Sequence, residues 1–431
     1  MKTLDWNELD EVGRVLALAR PQQRAAPALV RDVETIINDV RVRGWEALCA
    51  IARRIDGEEP RLVEVSPIAA IAREALDPET HDAIEFAARN IRTFHEACVP
   101  SDVRVETAPG LIVRKVWRPI DRVGLYVPGG KTPLFSTLLM LAIPASVAGV
   151  REIVAITPPR PEGGLDPLIA LAAEICGVDQ IWTVGGAQGI AALAFGAGPV
   201  GKVDKICGPG NAWVAEAKRL VSSLAGGPAI DMPAGPSELM VLADASADPG
   251  LIAADLLAQA EHDAAAQVLL VTNVPALASK VRQAIELQLE TLPRKSIARA
   301  SLDAARLIVA SDLEEAAEIA NRYAPEHLAL ALEDVDPTLQ RIRNAGAVFA
   351  GPLAAETFGD YLAGSSHVLP TDGAARAWGG VSVYTFLKAM SVQSVTPEAA
   401  REIAPAAGLL ARLEELEAHA RAADARLECV K

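Results

Sequence analysis

Four of the chain's six histidines lie after residue 260, and each stands within a few positions of a carboxylate or carboxamide side chain. The four groups are Gln259/Glu261/His262, Glu326/His327, Asp360/His367 and Glu414/His419. Histidine is a common metal ligand and carries protons near neutral pH, so its association with Asp, Glu and Gln is typical of a metal-assisted active site. The elements that carry these groups are therefore expected to meet at one site.

Gln259 and His262 are three residues apart in the helical pattern IAADLLAQAEHD, which predicts that they share a helix face. Two metal ligands on one helix must share a face, whereas Glu261 points elsewhere and is expected to be solvated. The spacing also fits a helix-end pair that is hydrogen bonded to the backbone. Because glutamine is an uncommon zinc ligand, this motif alone leaves both interpretations open.

Glu326 and His327 follow Pro325, which disfavours helix at the residue before it and so ends the helical pattern at Tyr323. The pair therefore begins a loop or a strand, and loops often carry catalytic side chains. Neighbouring side chains in a regular strand face opposite ways, so joint action of the two requires a turn. The alternative is a plain surface pair.

Asp360 and His367 lie in the polar segment GDYLAGSSHVLPT, which is predicted to be a loop. Aspartate offers a hard oxygen ligand, and a neutral imidazole can bind a metal or hydrogen bond to a substrate. Glu414 and His419 are five residues apart on the terminal helical pattern, or about 140° around a regular helix. Either they flank a ligand from two sides or the helix is interrupted between them.

Three glycine-rich turns each follow a predicted strand and precede a helical pattern. They are Pro128-Gly129-Gly130, Gly185-Gly186-Ala187-Gln188 and Gly208-Pro209-Gly210-Asn211. Helix N-terminal amides at such turns can hold a pyrophosphate, although none of the three completes the dinucleotide fingerprint. The glycines could equally serve only to turn the chain tightly. Ser237, whose surroundings lack the final glycine of a nucleophile elbow, is predicted to be a substrate-binding hydroxyl.

Helical and strand-like patterns alternate along most of the chain. Helical spacing dominates residues 26–95, and short strands alternate with helices over residues 122–207 and again from about Glu238. This alternation predicts an α/β protein with two Rossmann-like parallel-sheet domains and helical N-terminal and C-terminal extensions. A leucine stripe on the terminal helix is typical of docking on a partner subunit.

Domain boundaries are predicted from these patterns and from the Pro/Gly-rich stretch AGGPAIDMPAGPSE. We expect a helical segment at 1–25, a first α/β domain made of 26–125 together with 238–381, a second α/β domain at 126–237, and a helical tail at 382–431. The metal and catalytic candidates fall in the first α/β domain. A cofactor crevice is expected in the second.

Composition narrows the class of protein further. A chain of 431 residues with 51% hydrophobic residues can fill more than one core. Its net charge of −15, spread along the chain, argues against nucleic acid or an anionic membrane as a partner. The most apolar stretch, 134–150, is too short to span a bilayer. Because the acidic N-terminus lacks the apolar region of a signal peptide, a cytoplasmic location is expected.

Long motifs in a fixed order give the chain a resemblance to the histidinol dehydrogenases, which extends from about Asp5 to the C-terminus. The motifs are YVPGG at Tyr126, LFSTLLMLAIPASVAG, VGGAQ at Gly185, VDKICGPGN ending at Asn211, IDMPAGPSE around Ser237, LLAQAEHD, APEHL and GDYLAGSSHVLPT. Motifs of this length are very specific.

This resemblance implies a reaction and a set of site residues. Members of the family oxidise L-histidinol to L-histidine through L-histidinaldehyde, with zinc and two NAD, in the final step of histidine biosynthesis. The implied assembly is an intertwined homodimer with one zinc ion per subunit. Matching positions imply the zinc ligands Gln259, His262, Asp360 and His419, the last supplied by the other subunit, and the catalytic pair Glu326 and His327.

The same match implies the residues that hold substrate and cofactor. The implied substrate contacts are Ser237, Gln259, His262, His327, Asp360, His367, Glu414 and His419, and the implied NAD contacts are Tyr126, Gln188 and Asn211. Histidinol carries an imidazole and an amine, which are borderline donors that suit zinc. His327 could take the alcohol proton while hydride leaves for NAD, and Glu326 could activate the water that hydrates the aldehyde.

Other functions remain as alternatives. A related dehydrogenase acting on another amino or sulfonated alcohol would keep zinc and NAD but change the substrate contacts, and His367 and Glu414 stand where the family has them, which argues against it. A zinc hydrolase could use the same His/Asp/Gln set without NAD. A binding or scaffold protein would need no Glu326/His327 pair.

Overall fold

The computed structural model describes residues 1–20, 27–129, 133–233 and 235–429. The chain divides into two compact units. The first compact unit comprises Met1–Cys98 and Asp121–Phe386, and the second comprises Val99–Ile120 and Leu387–Lys431. Among the described residues, no helix is both long and apolar enough to cross a membrane.

The strands of the described residues are β1 (Lys2–Asp5), β2 (Leu62–Glu64), β3 (Val103–Ala108), β4 (Leu111–Pro119), β5 (Arg122–Tyr126), β6 (Glu152–Thr157), β7 (Gln180–Thr183), β8 (Lys205–Cys207), β9 (Ala229–Ile230), β10 (Glu238–Ala243), β11 (Gln267–Thr272), β12 (Arg306–Val309), β13 (His327–Ala331), β14 (Ala347–Ala350) and β15 (Leu387–Val395).

The α-helices of the described residues are α1 (Glu11–Ala17), α2 (Pro27–Arg43), α3 (Trp45–Ile55), α4 (Val65–Ala75), α5 (Pro78–Ala97), α6 (Phe135–Ala148), α7 (Pro167–Cys176), α8 (Gly186–Phe195), α9 (Ala212–Ser223), α10 (Pro249–Ala260), α11 (Pro275–Leu289), α12 (Lys295–Asp303), α13 (Leu313–Tyr323), α14 (Asp336–Leu339), α15 (Glu356–Tyr361), α16 (Pro397–Leu413) and α17 (Glu417–Cys429).

The first sheet has the strand order β1-β12-β11-β10-β13-β14, and all of its pairs are parallel. Its central strand β10, ELMVLA, is buried along its whole length. Leu239 and Val241 pack into the core formed with α10, α11 and α12, whereas Met240 and Leu242 pack into the core that contains α13. Because helices cover both faces, the strand is apolar throughout instead of alternating with polar residues.

The second sheet has the order β2-β7-β6-β5-β8-β9. Its strands are parallel except for β2, which is antiparallel to β7. One of its cores combines residues of α2, α3, α8 and α9. The expectation of an α/β protein with two Rossmann-like parallel sheets is confirmed.

The second compact unit contains a third sheet, which is antiparallel and has the order β15-β4-β3. Helices α16 and α17 complete this unit. The backbone reverses between the two helices, where Glu415 adopts the left-handed conformation at φ 61°. Of the two alternatives for Glu414 and His419, the structure shows the second: the helix is interrupted between them.

Several segments lie elsewhere than the sequence patterns indicated. Residues 26–125 were expected to fold with 238–381, but α2 packs on α8 and α9, α4 packs on α7, and β2 joins the second sheet. A helical pattern reveals an apolar face but not which sheet it covers. The predicted helical segment 1–25 begins with a strand, β1, and the predicted helical tail 382–431 contains β15.

Candidate active site

Two neighbouring strands bring the predicted catalytic pair to the first sheet's amino edge. Strands β10 and β13 pair in parallel with Leu239 opposite His327, so Glu238, the first residue of β10, lies beside Glu326, which immediately precedes β13. Helix α13 ends at Tyr323, and Ala324 then takes the left-handed conformation at φ 53°. This turn directs the chain through Pro325 into β13.

Glu326 is buried and points toward the neighbouring strand. Its Oε2 accepts a hydrogen bond of 2.7 Å from the backbone N–H of Glu238. Burial raises the pKa of the Glu326 carboxyl well above its ordinary value, while that hydrogen bond lowers it to a lesser extent. The alternative of a plain surface pair is excluded, because both Glu326 and His327 are 4% exposed.

The His327 ring is held by its Nδ1 atom, which lies 3.2 Å from the backbone carbonyl oxygen of Glu238. Donation from Nδ1 to this carbonyl leaves Nε2 with a free lone pair. Nε2 is buried and has no hydrogen-bond partner among the described residues. Burial lowers the pKa of His327 to about 3, so the ring is neutral at neutral pH. Phe349 stacks on the ring with centroids 5.8 Å apart.

Helix α15 places two carboxylates beside this ring. The distance from His327 Nε2 to Asp360 Oδ1 is 3.8 Å, and the distance from His327 Nδ1 to Glu356 Oε1 is 3.5 Å. Burial raises the pKa of Asp360 to about 6 and raises that of Glu356 well above its ordinary value. One ligand atom from each of these three residues lies within 4.8 Å of the others, so the group could hold a metal ion.

Sequence reasoning missed Glu356, although a signal was present. Glu356 and Asp360 are four residues apart, which places them on one face of a helix. The segment around Asp360 was expected to be a loop, but Asp360 belongs to α15, which ends at Tyr361. The loop begins after that residue and carries His367.

The predicted pair Gln259 and His262 lies at the end of α10. Gln259 is buried in the last turn, and its amide Nε2 has no hydrogen-bond partner among the described residues. His262 lies just beyond the helix, which ends at Ala260, and its backbone N–H donates to the Gln259 carbonyl oxygen at 3.2 Å. The prediction that both residues stand on one helix therefore holds for Gln259 but not for His262, which lies two residues past the last residue of α10.

His262 lies near the other histidines of the site. Its ring retains solvent access, yet partial desolvation, together with the Arg294 guanidinium, lowers the pKa of His262. The proximity of His262 also lowers the pKa values of His327 and His367. Three imidazoles are thus gathered at this edge of the first sheet, and all three favour the neutral form that binds metals.

His367 connects this edge to the helix that follows β5. Its Nδ1 lies 3.0 Å from the backbone carbonyl oxygen of Asp360, and its Nε2 lies 3.1 Å from Thr137 Oγ1 in the first turn of α6. Burial lowers the pKa of His367 to about 4. Ser237 precedes β10, and its carbonyl oxygen accepts a hydrogen bond of 3.0 Å from the backbone N–H of Gln267.

In the second sheet, a ligand crevice is expected at the carboxyl ends of β5 and β8. The chain order of the strands reverses between these two, which is where open α/β sheets bind ligands. Tyr126 ends β5 and is buried, and Asn211 caps α9 by accepting hydrogen bonds from the N–H groups of Trp213 and Val214 at 3.1 and 3.2 Å. Gly130, which belongs to the first of the three glycine-rich turns, lies outside the described residues.

Gly208 is required by the close approach of two chains in this crevice. Its φ is +124°, and an added Cβ would collide with the backbone carbonyl oxygen of Tyr126. A buried ion pair holds the turn, because Lys218 Nζ lies 2.7 Å from the Gly208 carbonyl oxygen and 2.5 Å from Asp231 Oδ1. Asp231 Oδ2 accepts a hydrogen bond of 2.7 Å from the Gly208 N–H. Gly208 is therefore required by the close packing against Tyr126 as well as by the turn.

A carboxylate of the chain itself occupies the start of α8. Asp56 Oδ2 accepts hydrogen bonds from the Gly185 N–H at 3.3 Å and from Gln188 Nε2 at 2.9 Å. Sequence reasoning missed Asp56, which lies more than a hundred residues earlier. Burial raises the pKa of Asp56. Gln188 is fully buried, and its Oε1 has no partner among the described residues.

Glu414 and His419 belong to the second compact unit. Glu414 follows α16, and His419 lies in the first turn of α17. Both side chains are exposed. Their roles as substrate contact and zinc ligand stay predictions.

Comparisons with known proteins agree with this geometry. A family model described as histidinol dehydrogenase matches residues 18–427. The histidinol dehydrogenase of Xylella fastidiosa (strain 9a5c) is 48% identical over all of both chains, and that of Legionella pneumophila is 46% identical over 98% of each. The crystal structure of histidinol dehydrogenase from Elizabethkingia anophelis superposes with a TM-score of 0.95 at 39% identity, covering 100% of this chain and 98% of that one. The chain therefore belongs to the histidinol dehydrogenase family of oxidoreductases.

Proposed function

We propose that the protein carries out the zinc-dependent, four-electron oxidation of L-histidinol to L-histidine through L-histidinaldehyde, with two NAD. This would be the final step of histidine biosynthesis, in a cytoplasmic homodimer with shared active sites. The observation that carries the proposal is the buried, neutral ring of His327, whose free Nε2 lies 3.8 Å from Asp360 Oδ1 and whose Nδ1 lies 3.6 Å from Glu326 Oε2. A base of this kind next to a metal-binding group suits proton removal from an alcohol.

The residues at the end of α10 fit a zinc ion. Gln259, His262 and Asp360 would hold it, with His419 of the partner subunit as the fourth ligand. Gln259 is buried, and its side-chain oxygen Oε1, not the donor Nε2 that lacks a partner among the described residues, would be the ligand atom; the lowered pKa of His262 leaves its imidazole free to bind a metal. When bound, zinc would orient the amine and imidazole of histidinol and polarise its hydroxyl.

His327 would act as the general base for alcohol oxidation. The Glu238 carbonyl oxygen fixes the proton on Nδ1, so Nε2 would take the hydroxyl proton, and bound NAD would supply the hydride acceptor. Phe349 restricts the tilt of the ring by stacking on it. A neutral imidazole at the working pH is the form that this role requires, and burial provides it.

Glu326 would act in the second half of the reaction. The raised pKa of its carboxyl makes the carboxylate a stronger proton acceptor than an exposed glutamate. It would take a proton from the water that adds to the aldehyde, which gives the hydrate from which the second hydride leaves. The hydrogen bond from the Glu238 N–H keeps one oxygen fixed and the other available for water.

The cofactor would lie in the crevice of the second sheet, with Tyr126, Gln188 and Asn211 as its contacts. The hydrogen bond between His367 and Thr137 connects that crevice to the catalytic residues, because α6 begins just after β5 and its loop. Ser237, His367 and Glu414 would hold the substrate. The Asp360 carbonyl oxygen orients the His367 ring through Nδ1, and Nε2 would exchange its present partner, Thr137 Oγ1, for the substrate.

The stoichiometry of NADH formation tests the proposal. Purified protein loaded with one zinc per subunit is incubated with limiting L-histidinol and excess NAD, while absorbance reports NADH and chromatography reports L-histidine. We expect about two NADH and one histidine per histidinol, and loss of activity when a chelator removes zinc. Zinc-loaded protein that forms no NADH would contradict the proposal and favour a hydrolase or a binding protein.

A further inference from the structure

The peptide groups of Glu238 contact both catalytic side chains. Its N–H donates to Glu326 Oε2 at 2.7 Å, and its carbonyl oxygen lies 3.2 Å from His327 Nδ1. The orientation of both catalytic groups therefore depends on one residue of β10. Whatever fixes Glu238 also fixes the general base and the water-activating carboxylate.

Arg20 fixes the side chain of Glu238. The guanidinium donates from Nε to Glu238 Oε1 at 2.5 Å and from Nη2 to Oε2 at 2.7 Å, which is a bidentate pair. The Glu238 side chain is 2% exposed and that of Arg20 is 13% exposed, so solvent screens the pair only weakly. The backbone N–H of Asp372 adds a third hydrogen bond, to Oε1 at 3.0 Å.

The same guanidinium also holds the turn that leads to Glu326. Arg20 Nη2 lies 2.9 Å from the Tyr323 carbonyl oxygen and 3.4 Å from that of Ala324, and its guanidinium lies 3.8 Å from the centre of the Tyr323 ring. Ala324 is left-handed at φ 53°, a conformation that is unfavourable for residues other than glycine. Arg20 thus stabilises a strained turn immediately before the catalytic pair.

We propose that Arg20 is a positioning residue for catalysis, acting through Glu238 and the Ala324 turn to set the geometry of Glu326 and His327. It touches neither the reacting atoms nor the zinc candidates, and it lies some three hundred residues from the catalytic pair in the chain. Arg20 bridges Glu238, at the start of β10, and the turn that leads into β13. Its loss is therefore expected to affect both oxidation steps. This inference rests on the proposed function, since it concerns the same reaction.

The test compares Arg20→Ala and Arg20→Lys with Arg306→Met as a matched control. Arg306 is also an arginine bound to the N-terminal segment, through the Ala19 carbonyl oxygen, and none of the hydrogen bonds found in the described residues joins it to Glu238. For each variant, kcat and KM are measured with histidinol and with histidinaldehyde as substrate, together with zinc content and Tm.

We expect Arg20→Ala to lower kcat about a hundredfold for both substrates, the size expected for catalytic groups displaced by about 1 Å. Zinc content and the KM for NAD stay unchanged. Free guanidinium ion at millimolar concentration restores part of kcat, and Arg20→Lys lies in between because an ammonium group cannot form the bidentate pair. Arg306→Met lowers Tm but retains kcat.

A folded Arg20→Ala variant with wild-type kcat would overturn the inference, and so would an equal loss of kcat in Arg306→Met. If Arg20→Ala does not fold, Glu238→Gln carries the test, because the amide keeps the volume but loses the charge that pairs with Arg20. Unchanged kcat in Glu238→Gln then overturns it. Failure of the proposed function is distinct, since wild-type protein would itself form no NADH; displacement of Glu326 in an Arg20→Ala crystal structure then decides the inference.

Discussion

The first sheet carries Glu326 and His327 at the amino ends of its strands, whereas the second sheet carries its crevice at the carboxyl ends of β5 and β8. Both sheets reverse strand order next to these residues, between β10 and β13 and between β5 and β8. Only the second sheet follows the usual rule for ligands in open α/β sheets. The candidate sites of the two parallel sheets therefore lie at opposite edges.

Helix dipoles explain what each edge can bind. The amino edge of the first sheet receives the C-terminal, negative ends of α10 and α13, beside Gln259 and just before Glu326. That field favours a divalent cation. The carboxyl edge of the second sheet receives helix N-termini, such as that of α9 at Asn211, and favours an anion. A zinc ion and a dinucleotide therefore suit different edges for the same physical reason.

The largest effect is expected at the amino edge of the first sheet. His327→Asn removes the general base, so we expect kcat for histidinol oxidation to fall about 10³-fold, within the range for a positioned base. Zinc content and the KM for NAD should not change, because the proposed zinc ligands are Gln259, His262, Asp360 and His419 and the proposed NAD contacts lie on the second sheet. Steady-state NADH formation measures the loss. His81→Asn, at a partly exposed histidine of α5, is the control and should retain kcat.

Activity of His327→Asn within tenfold of wild type would show that another group removes the proton. Proton removal would then not be assigned to His327 at the amino edge of the first sheet.

The next largest effect concerns the crevice of the second sheet. Lys218→Met leaves the buried Asp231 carboxylate without its cation, which costs about 3–5 kcal/mol of the free energy of unfolding. Because Lys218 also binds the Gly208 carbonyl oxygen, the KM for NAD should rise while zinc content stays constant. Urea denaturation and NAD titration measure the two effects.

Lys202→Met is the matched control, because Lys202 donates to the Gly226 carbonyl oxygen at an exposed position of the same unit. It should change stability by less than about 1 kcal/mol. Equal losses in the two lysine variants would mean that the buried ion pair does not hold the Gly208 turn.

The smallest effect is on stability and is expected only at acidic pH. His95 on α5 is fully buried, and neither ring nitrogen has a partner among the described residues. Burial lowers the pKa of His95 from 6.5 to about 4. The unfolded chain therefore binds the proton first, so this residue costs stability progressively as pH falls from 6.5 to 4, by roughly 3 kcal/mol at the lower end.

His95→Leu should remove that loss. The free energy of unfolding of the variant and of wild type, measured by urea denaturation between pH 4 and pH 7, should diverge in favour of the variant as pH falls. Parallel curves over this range would show that His95 is not buried in its neutral form.

Much of the catalytic edge could be predicted from sequence, because each histidine there has a ligand or an acid close to it in the chain. The contacts that sequence analysis missed join residues that are far apart in the chain. Asp56 reaches Gln188, and Arg20 reaches Glu238, across stretches that no local pattern connects. The end of α10 at Ala260 was missed for a different reason, since AEHD continues the helical spacing.

The fold shows the same division. Strand patterns identified the two parallel sheets, because buried parallel strands are continuously apolar. The association of α2 to α5 with the second sheet could not be predicted, because an amphipathic helix specifies an apolar face but no partner. Glu356 was missed because it lies just before the segment GDYLAGSSHVLPT, which was expected to be a loop, so its helical spacing to Asp360 was not considered.

The most direct test of the division between the two edges compares kcat and the KM for NAD in His327→Asn and Gly208→Ala. An alanine at position 208 meets the Tyr126 carbonyl oxygen and strains a backbone at φ +124°. Separate roles predict that Gly208→Ala raises the KM for NAD at nearly normal kcat, whereas His327→Asn lowers kcat at normal KM. A fall in kcat at saturating NAD in Gly208→Ala as large as that in His327→Asn would contradict the account.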